Sequence, residues 1–381
     1  MNVLETSGAD TGVPVEFRAP EPVAIPVRYA GHLAFAPDSS GLVVHPGMGE
    51  LPMLDLYRLT GAGRGGVRRL PLRQDDGSQV LGVVHLGDAV VVQERVMPGG
   101  HRLSRTVRYR ADGWTREVLL ESTDPSDAVL AATPDGFVVG TERAFHHGGV
   151  DGPIESRTPG SWLGGGEATV HGADPVTGRL AVTVKRPDFT RELLLVEPDL
   201  TVAARTRIDD EQRRVDQAYF CGPDLVLTTG MWQSLRAYRA DGDTLSRVGL
   251  TYFDKQKRMW LLHSAPLGIT VVPSRRRVAV EMDGEAPMWL DADTLESVPA
   301  PRAYGTRLPL WISPDERYVV FEQDLHELEL FDAVRFEIAE LLHRPLAELG
   351  RADDERISML RRMDPSPRTG AVLDMIRAHI A

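Results

Sequence analysis

Four glutamates stand at matching points of a pattern that repeats along this chain. Glu94, Glu142, Glu281 and Glu322 each close an apolar run a few residues after a turn, and His45 closes another in the same way. Lys185 and Gly230 hold the two remaining positions. Carboxylates gathered on one surface repel one another, raise one another's pKa and attract a cation or an arginine-rich partner. The ordinary alternative is a charged residue where a buried strand reaches water.

The segments just beyond these ends carry Arg95, Met97, His101, Phe145, His146, His147, Asp188, Phe189, Trp232, Asp283, Glu285, Asp324 and His326. The long connection Tyr252 to Trp260 belongs with them. Aromatic residues mixed with charge on loops make a binding face. Glu94, Glu142, Glu281, Glu322, His45, His146, Trp232 and Trp260 are therefore the candidate binding residues.

Catalytic signatures do not stand out beside them. The chain has no Gly-x-Ser-x-Gly elbow, no phosphate loop ending in Gly-Lys and no His-Glu-x-x-His. His146 and His147 are adjacent, so their side chains diverge, and no third ligand is identified. No catalytic residue, metal or cofactor is assigned. The glycine-rich stretch Gly61 to Gly66 reads as a turn between strands.

These positions depend on a repeated hairpin to align them. Its clearest copy runs from Trp311 to Glu322, two apolar runs around Pro314-Asp315. Pro presets φ there, and Asp bonds the backbone just ahead. Markers at Asp38, Asp88, Asp135, Thr177, Asp224, Ser274 and Asp315 are spaced by 50, 47, 42, 47, 50 and 41 residues. Such a period, with four short strands per repeat, predicts an all-β fold, a seven-bladed β-propeller. A second turn series keeps the same phase: Tyr109 to Gly113, Val196 to Asp199, Tyr238 to Gly242, Leu290 to Thr294 and Phe331 to Ala333. The first series joins strands one and two of a blade, the second strands three and four. Blade three is the poorest copy, running into His146-His147-Gly148-Gly149.

A closed ring needs a strand from each end of the chain. Val13 to Phe17 alternates and is the expected N-terminal contributor. Val334 to Ile338 alternates as a last strand, although Val334, Ile338, Leu341 and Leu342 also fit a helix. Beyond Pro345 the pattern turns helical, with Asp353 as a cap ahead of Ile357, Leu360 and Met363. Thr369 caps a second helix whose Val372, Met375, Ile376 and Ile380 share a face. The expected division is a disordered leader over 1–12, the propeller over 13–342 and a short C-terminal α-helical tail over 343–381. The tail is expected to pack on the ring, since short helices are marginal alone.

The bulk numbers narrow the partners. The formal net charge is -12 over 381 residues, so nucleic acid is a poor partner. Single Cys221 excludes an intramolecular disulfide and reads as a buried inert thiol. The N-terminus has neither a basic start nor an apolar core of a signal peptide, and no apolar run spans a membrane. A cytoplasmic chain is the expectation.

The turns Pro37-Asp38-Ser39-Ser40-Gly41, Pro134-Asp135-Gly136 and Ser313-Pro314-Asp315-Glu316 resemble the repeat of WD-repeat-like, TolB-type propellers. The resemblance covers about Arg28 to Leu341 and implies the fold; no hydrolase domain follows, so it implies no peptidase. The expected function is a non-catalytic interaction scaffold for a protein partner, using one rim and the helical tail. The alternative is a lyase or cyclase at the channel mouth, with glutamate and histidine as acid and base.

Overall fold

Every one of the expected hairpin turns lies between two strands that pair antiparallel. The computed structural model describes residues 21–27, 32–45, 53–60, 63–72, 79–98, 101–110, 113–123, 129–141, 144–157, 167–208, 215–230, 234–252, 268–281, 286–301, 303–305, 307–324, 326–378 and 380. The strands follow in order: β1 (Val23–Pro26), β2 (Leu33–Phe35), β3 (Gly41–Val44), β4 (Met53–Thr60), β5 (Gly63–Pro71), β6 (Gln79–His85), β7 (Ala89–Val96), β8 (Leu103–Arg110) and β9 (Arg116–Ser122). Next come β10 (Val129–Thr133), β11 (Gly136–Gly140), β12 (Phe145–Gly149), β13 (Glu155–Arg157), β14 (Glu167–Ala173), β15 (Leu180–Lys185), β16 (Arg191–Val196), β17 (Val202–Arg207) and β18 (Val215–Phe220). The series ends with β19 (Leu225–Gly230), β20 (Ser234–Asp241), β21 (Thr244–Tyr252), β22 (Ile269–Val272), β23 (Arg277–Val280), β24 (Met288–Asp291), β25 (Pro309–Ile312), β26 (Tyr318–Asp324) and β27 (Glu327–Asp332).

The strands form meanders β2 to β5, β6 to β9, β10 to β13, β22 to β24 and β25 to β27, plus one eight-stranded sheet. That sheet is two meanders, β14 to β17 and β18 to β21, whose outer strands meet at the parallel pair Arg205↔Thr244. The first strands stand side by side in chain order around most of a circle, and β25 returns to β2. This is a β-propeller.

Burial explains which strands read most clearly. Second strands are covered on both faces by neighbouring meanders, so β3, β7 and β15 are buried almost throughout and each holds an unbroken apolar run: Leu42 to Val44, Ala89 to Val92 and Leu180 to Val182. Outer strands β17 and β21 face water over much of their length and are mixed. The core is a chain of apolar clusters, each between consecutive meanders. Val43, Leu54, Val90 and Val107 join the first to the second, and Phe137 with Val91 joins the second to the third. The cluster of Ile25, Phe35, Leu42, Val320 and Leu330 joins the last meander to the first.

The ring closes with a different strand from the one expected. Val13 to Phe17 lies outside the described residues. Val23–Pro26 instead pairs antiparallel with β27, from Val23↔Leu330 to Pro26↔Glu327. The Val27 N–H extends the pairing to the His326 carbonyl at 2.8 Å. Proline is tolerated because this is the outer edge of its sheet. The expected last strand at Val334 to Ile338 is a helix, α1 (Ala333–His343), started by Asp332, whose carboxylate accepts from the Arg335 N–H. Helical spacing prevails because Val334, Ile338 and Leu341 face an apolar tail core. Phe331-Asp332-Ala333 therefore opens a helix where a strand turn was expected.

Two more helices complete the tail: α2 (Arg351–Met363) and α3 (Pro367–Arg377). Gly350, not Asp353, is the N-cap of α2; Asp353 sits in the first turn and accepts from the Gly350 N–H at 2.9 Å. Ser366, not Thr369, caps α3, with Pro367 in the first turn, where a missing N–H costs nothing. Met375 is exposed, off the buried face expected for it. Gly63 to Gly66, expected in a turn, belong to β5. The tail packs on the ring, with α1 beside β26. Among the described residues no helix is long and apolar enough to cross a membrane.

Candidate functional site

Antiparallel pairing puts the turns between first and second strands, and between third and fourth, at one end of each meander. Direct contacts join these turns around the molecule. The Asp315 N–H donates to Ser39 Oγ at 3.2 Å, and the Ser274 N–H donates to the Glu316 carboxylate at 2.6 Å. The Arg276 and Asp224 side chains pair at 3.6 Å, and Arg179 donates to the Pro223 carbonyl at 2.6 Å. Gly178, at φ 75°, lies so close to Pro134 and Pro198 that a side chain there would press on both rings. These contacts define a turn rim. The ends of the second strands lie at the other end, on what we call the loop rim.

The sequence candidates fall there in different states. Glu322 is exposed near the end of β26, and Glu281 is half-buried just after β23, its N–H donating to the Gly268 carbonyl at 2.9 Å. Glu94 is 1% exposed; Tyr109 Oη donates to it at 3.5 Å and Arg116 lies 3.6 Å away. His146 is buried, with Ser156 Oγ 2.8 Å from Nδ1. Glu142, Trp232 and Trp260 lie outside the described residues.

His45 meets a residue that the repeat did not single out. Its ring lies 6.3 Å from that of His32, centroid to centroid, and its N–H donates to the His32 carbonyl at 2.7 Å. Burial, with the neighbouring His32, pushes the His45 pKa down to about 4, so the pair is neutral at pH 7. His32 Nε2 lies 3.1 Å from the Val80 carbonyl, bridging the first two meanders. His32 precedes its strand and keeps no phase with the turns, so no repeat position marks it. Among the described residues, no three His, Cys, Asp or Glu side chains are grouped to hold a metal ion.

The rim also holds apolar groups out to solvent. Phe189 is 80% exposed at φ 66°. Its turn is tight: the Phe189 N–H donates to the Arg186 carbonyl at 2.9 Å, and Asp188 accepts from the Thr190 N–H and hydroxyl. Those two bonds hold the Asp188 carboxyl below the usual carboxylate range. Met97, following β7, is 45% exposed. A cavity of about 50 Å³ lies elsewhere, between the third and fourth meanders beside the turns at Gly178 and Leu200. Phe145, His147 and Glu155 line it, so its only overlap with the expected loop residues is Phe145 and His147.

No family model matches this chain, and no curated protein matches it in sequence. Solved structures do. A chain from a crystal structure of the mitotic checkpoint complex is 15% identical, with a TM-score of 0.50, over 87% of this chain and 98% of that one. The Myceliophteria thermophila Cps50 (Swd1) β-propeller domain is 8% identical, with a TM-score of 0.53, over 81% of this chain and 99% of that domain. At such identities the likeness is one of fold, and in fold this chain is a WD-repeat-like β-propeller.

Proposed function

We propose that this chain is a non-catalytic protein-interaction scaffold that presents its loop rim to a protein partner. The observation that carries the reading is Phe189, held off the surface on a tight, charge-capped turn at 80% exposure. A large aromatic with few neighbours to lose and a fixed backbone is the kind of residue that anchors an interface. Met97 and the exposed Glu322 extend the surface, and Glu281, His45, Glu142, Trp232 and Trp260 are proposed to face the partner with them. Glu94 and His146, both buried, shape the strands behind. The net charge of -12 favours a protein over nucleic acid. One of the similar folds was crystallised within a complex, and this chain is proposed to work in one, in the cytoplasm.

Seven blades are part of the proposal. Two observations support the count: the eight-stranded sheet divides at Arg205↔Thr244 into two ordinary meanders, and each consecutive pair of meanders shares its own apolar cluster. A leader over 1–12, a propeller over 13–342 and a tail over 343–381, with α1 as the connection, complete it. A lyase or cyclase would need acid and base open to substrate. Two of the candidates, Glu94 and His146, are instead enclosed with Tyr109, Arg116 and Ser156, which leaves Glu281 and Glu322 as the open carboxylates among the described candidates and favours the scaffold.

Quantitative affinity capture with the intact chain tests the reading. Phe189→Ser combined with Glu322→Lys should lose the protein that the wild type retains. Equal capture by both would reject the loop rim as the binding face.

A further inference from the structure

We infer that the three C-terminal helices form a self-contained module that docks on the turn rim largely through charge and can lift off as a unit. Their apolar cluster is built from the three helices themselves: Val334, Ile338, Leu341, Ile357, Leu360 and Leu373 at its centre. Among the described residues no ring residue belongs to it. The module thus keeps its own core whether or not it touches the propeller.

Its attachment to the ring is of another kind. Glu337 on α1 is 1% exposed and lies between two guanidiniums, Arg275 from the turn before β23 and Arg356 from α2. The Arg356 bond is 2.6 Å long. Arg317, from the turn before β26, lies 3.9 Å from Asp364 between α2 and α3. Ser274 Oγ reaches the Met359 sulfur at 3.9 Å. Apolar contact with the ring is concentrated at the start of α1, where Ala333 and Phe336 join the cluster of Phe321 and Phe331. That is a hinge: one apolar anchor beside the chain connection, with charged clasps further out.

The ring does not need the clasp to close. β1 pairs with β27 along its whole length, and the Ser39 to Asp315 contact joins first and last turns without any tail residue. Arg356 also pairs with Glu340 at 2.5 Å within the tail, so removing the Glu337 charge takes a carboxylate from Arg275, the ring side of the clasp, and leaves the tail's own pair in place. Undocked, the module uncovers the face formed by Arg275, Glu316 and Arg317 beside the already exposed Ser274.

Distance measurements between spin labels in the intact chain test this. Cys221 is buried, and burial pushes its thiol up to about 12, so labels go to introduced cysteines. One pair, Asp88→Cys with Glu355→Cys, spans ring and tail; another, Glu355→Cys with Met375→Cys, lies within the tail. Wild type should give one narrow distribution for each pair. Glu337→Gln, and independently Arg275→Gln, should add a longer population to the spanning pair and leave the tail pair unchanged. An unchanged spanning pair in both variants would overturn the inference. So would a tail pair that broadens along with it, since the tail would then be unfolding instead of undocking.

Discussion

Among the described residues the turn rim is tied together at more points than the loop rim, where His32 reaches the Val80 carbonyl and Thr270 the Leu310 carbonyl. Around the turn rim, groups of one meander bond the next: Ser39 with Asp315, Ser274 with Glu316, Arg276 with Asp224, and Arg179 with the Pro223 carbonyl. Helices cover part of it. On the loop rim, Asp188 bonds within its own turn, and Phe189 and Met97 face water. A rim used to hold meanders in phase must repeat its chemistry, and a rim used to meet a partner is free to vary it. The repeat seen in the sequence belongs to the first of these.

Four changes would break or sharpen the contrast. The largest effect is expected at Arg108, a buried side chain of β8 that donates to Glu117 and to the carbonyls of Gly149 and Gly152 in the third meander. Half-exposed Glu117 would rehydrate, so Arg108→Ala should cost about 3–4 kcal/mol, chiefly for the charged hydrogen bonds to the two carbonyls, read from the urea midpoint.

Acid comes next. Burial pushes the His85 pKa down to about 4, although Asp38 and Asp88 pull it up. The folded state thus holds this imidazole neutral while the unfolded state protonates near 6.5. Stability should be full above pH 6.5 and fall as pH drops toward 4, by roughly 2–3 kcal/mol for this residue. His85→Asn should flatten that part of the profile; an unchanged pH slope would show that His85 is not its source.

Asp315→Ala is smaller. It removes the acceptor for the Ser313 hydroxyl and the Arg317 N–H, and should cost about 1 kcal/mol in thermal unfolding. Phe189→Ser is smallest: it should move stability by less than about 0.5 kcal/mol, because the side chain is already in water. A large loss there would mean that the loop rim is structural too.

The turns were legible because their chemistry is local. Pro314 and Asp315 act within four residues, and so do Pro37 and Asp38. Positive φ at Ser39, Arg276 and Glu316 was not legible, since none is glycine and the strain is held by the surrounding rim. The closing strand was missed because Val-Ala-Ile-Pro is short, has little alternation and pairs with residues some three hundred positions away. A separation of 62 residues was enough to hide the Arg275 to Glu337 clasp. At the candidate site, position along the second strand was readable, but exposure was not. Glu94 shares the face of Val90 and Val92, toward the preceding meander, and is enclosed by Tyr109 and Arg116; Glu322 shares the face of Val320, toward the following one, and is open.

Hydroxyl-radical footprinting of the intact chain, free and with its captured partner, tests the division of labour between the rims most directly. Phe189 and Met97 should lose reactivity on binding, while Val176, exposed in a turn of the opposite rim, should react as before. Protection of Val176 with Phe189 and Met97 still reactive would contradict the account.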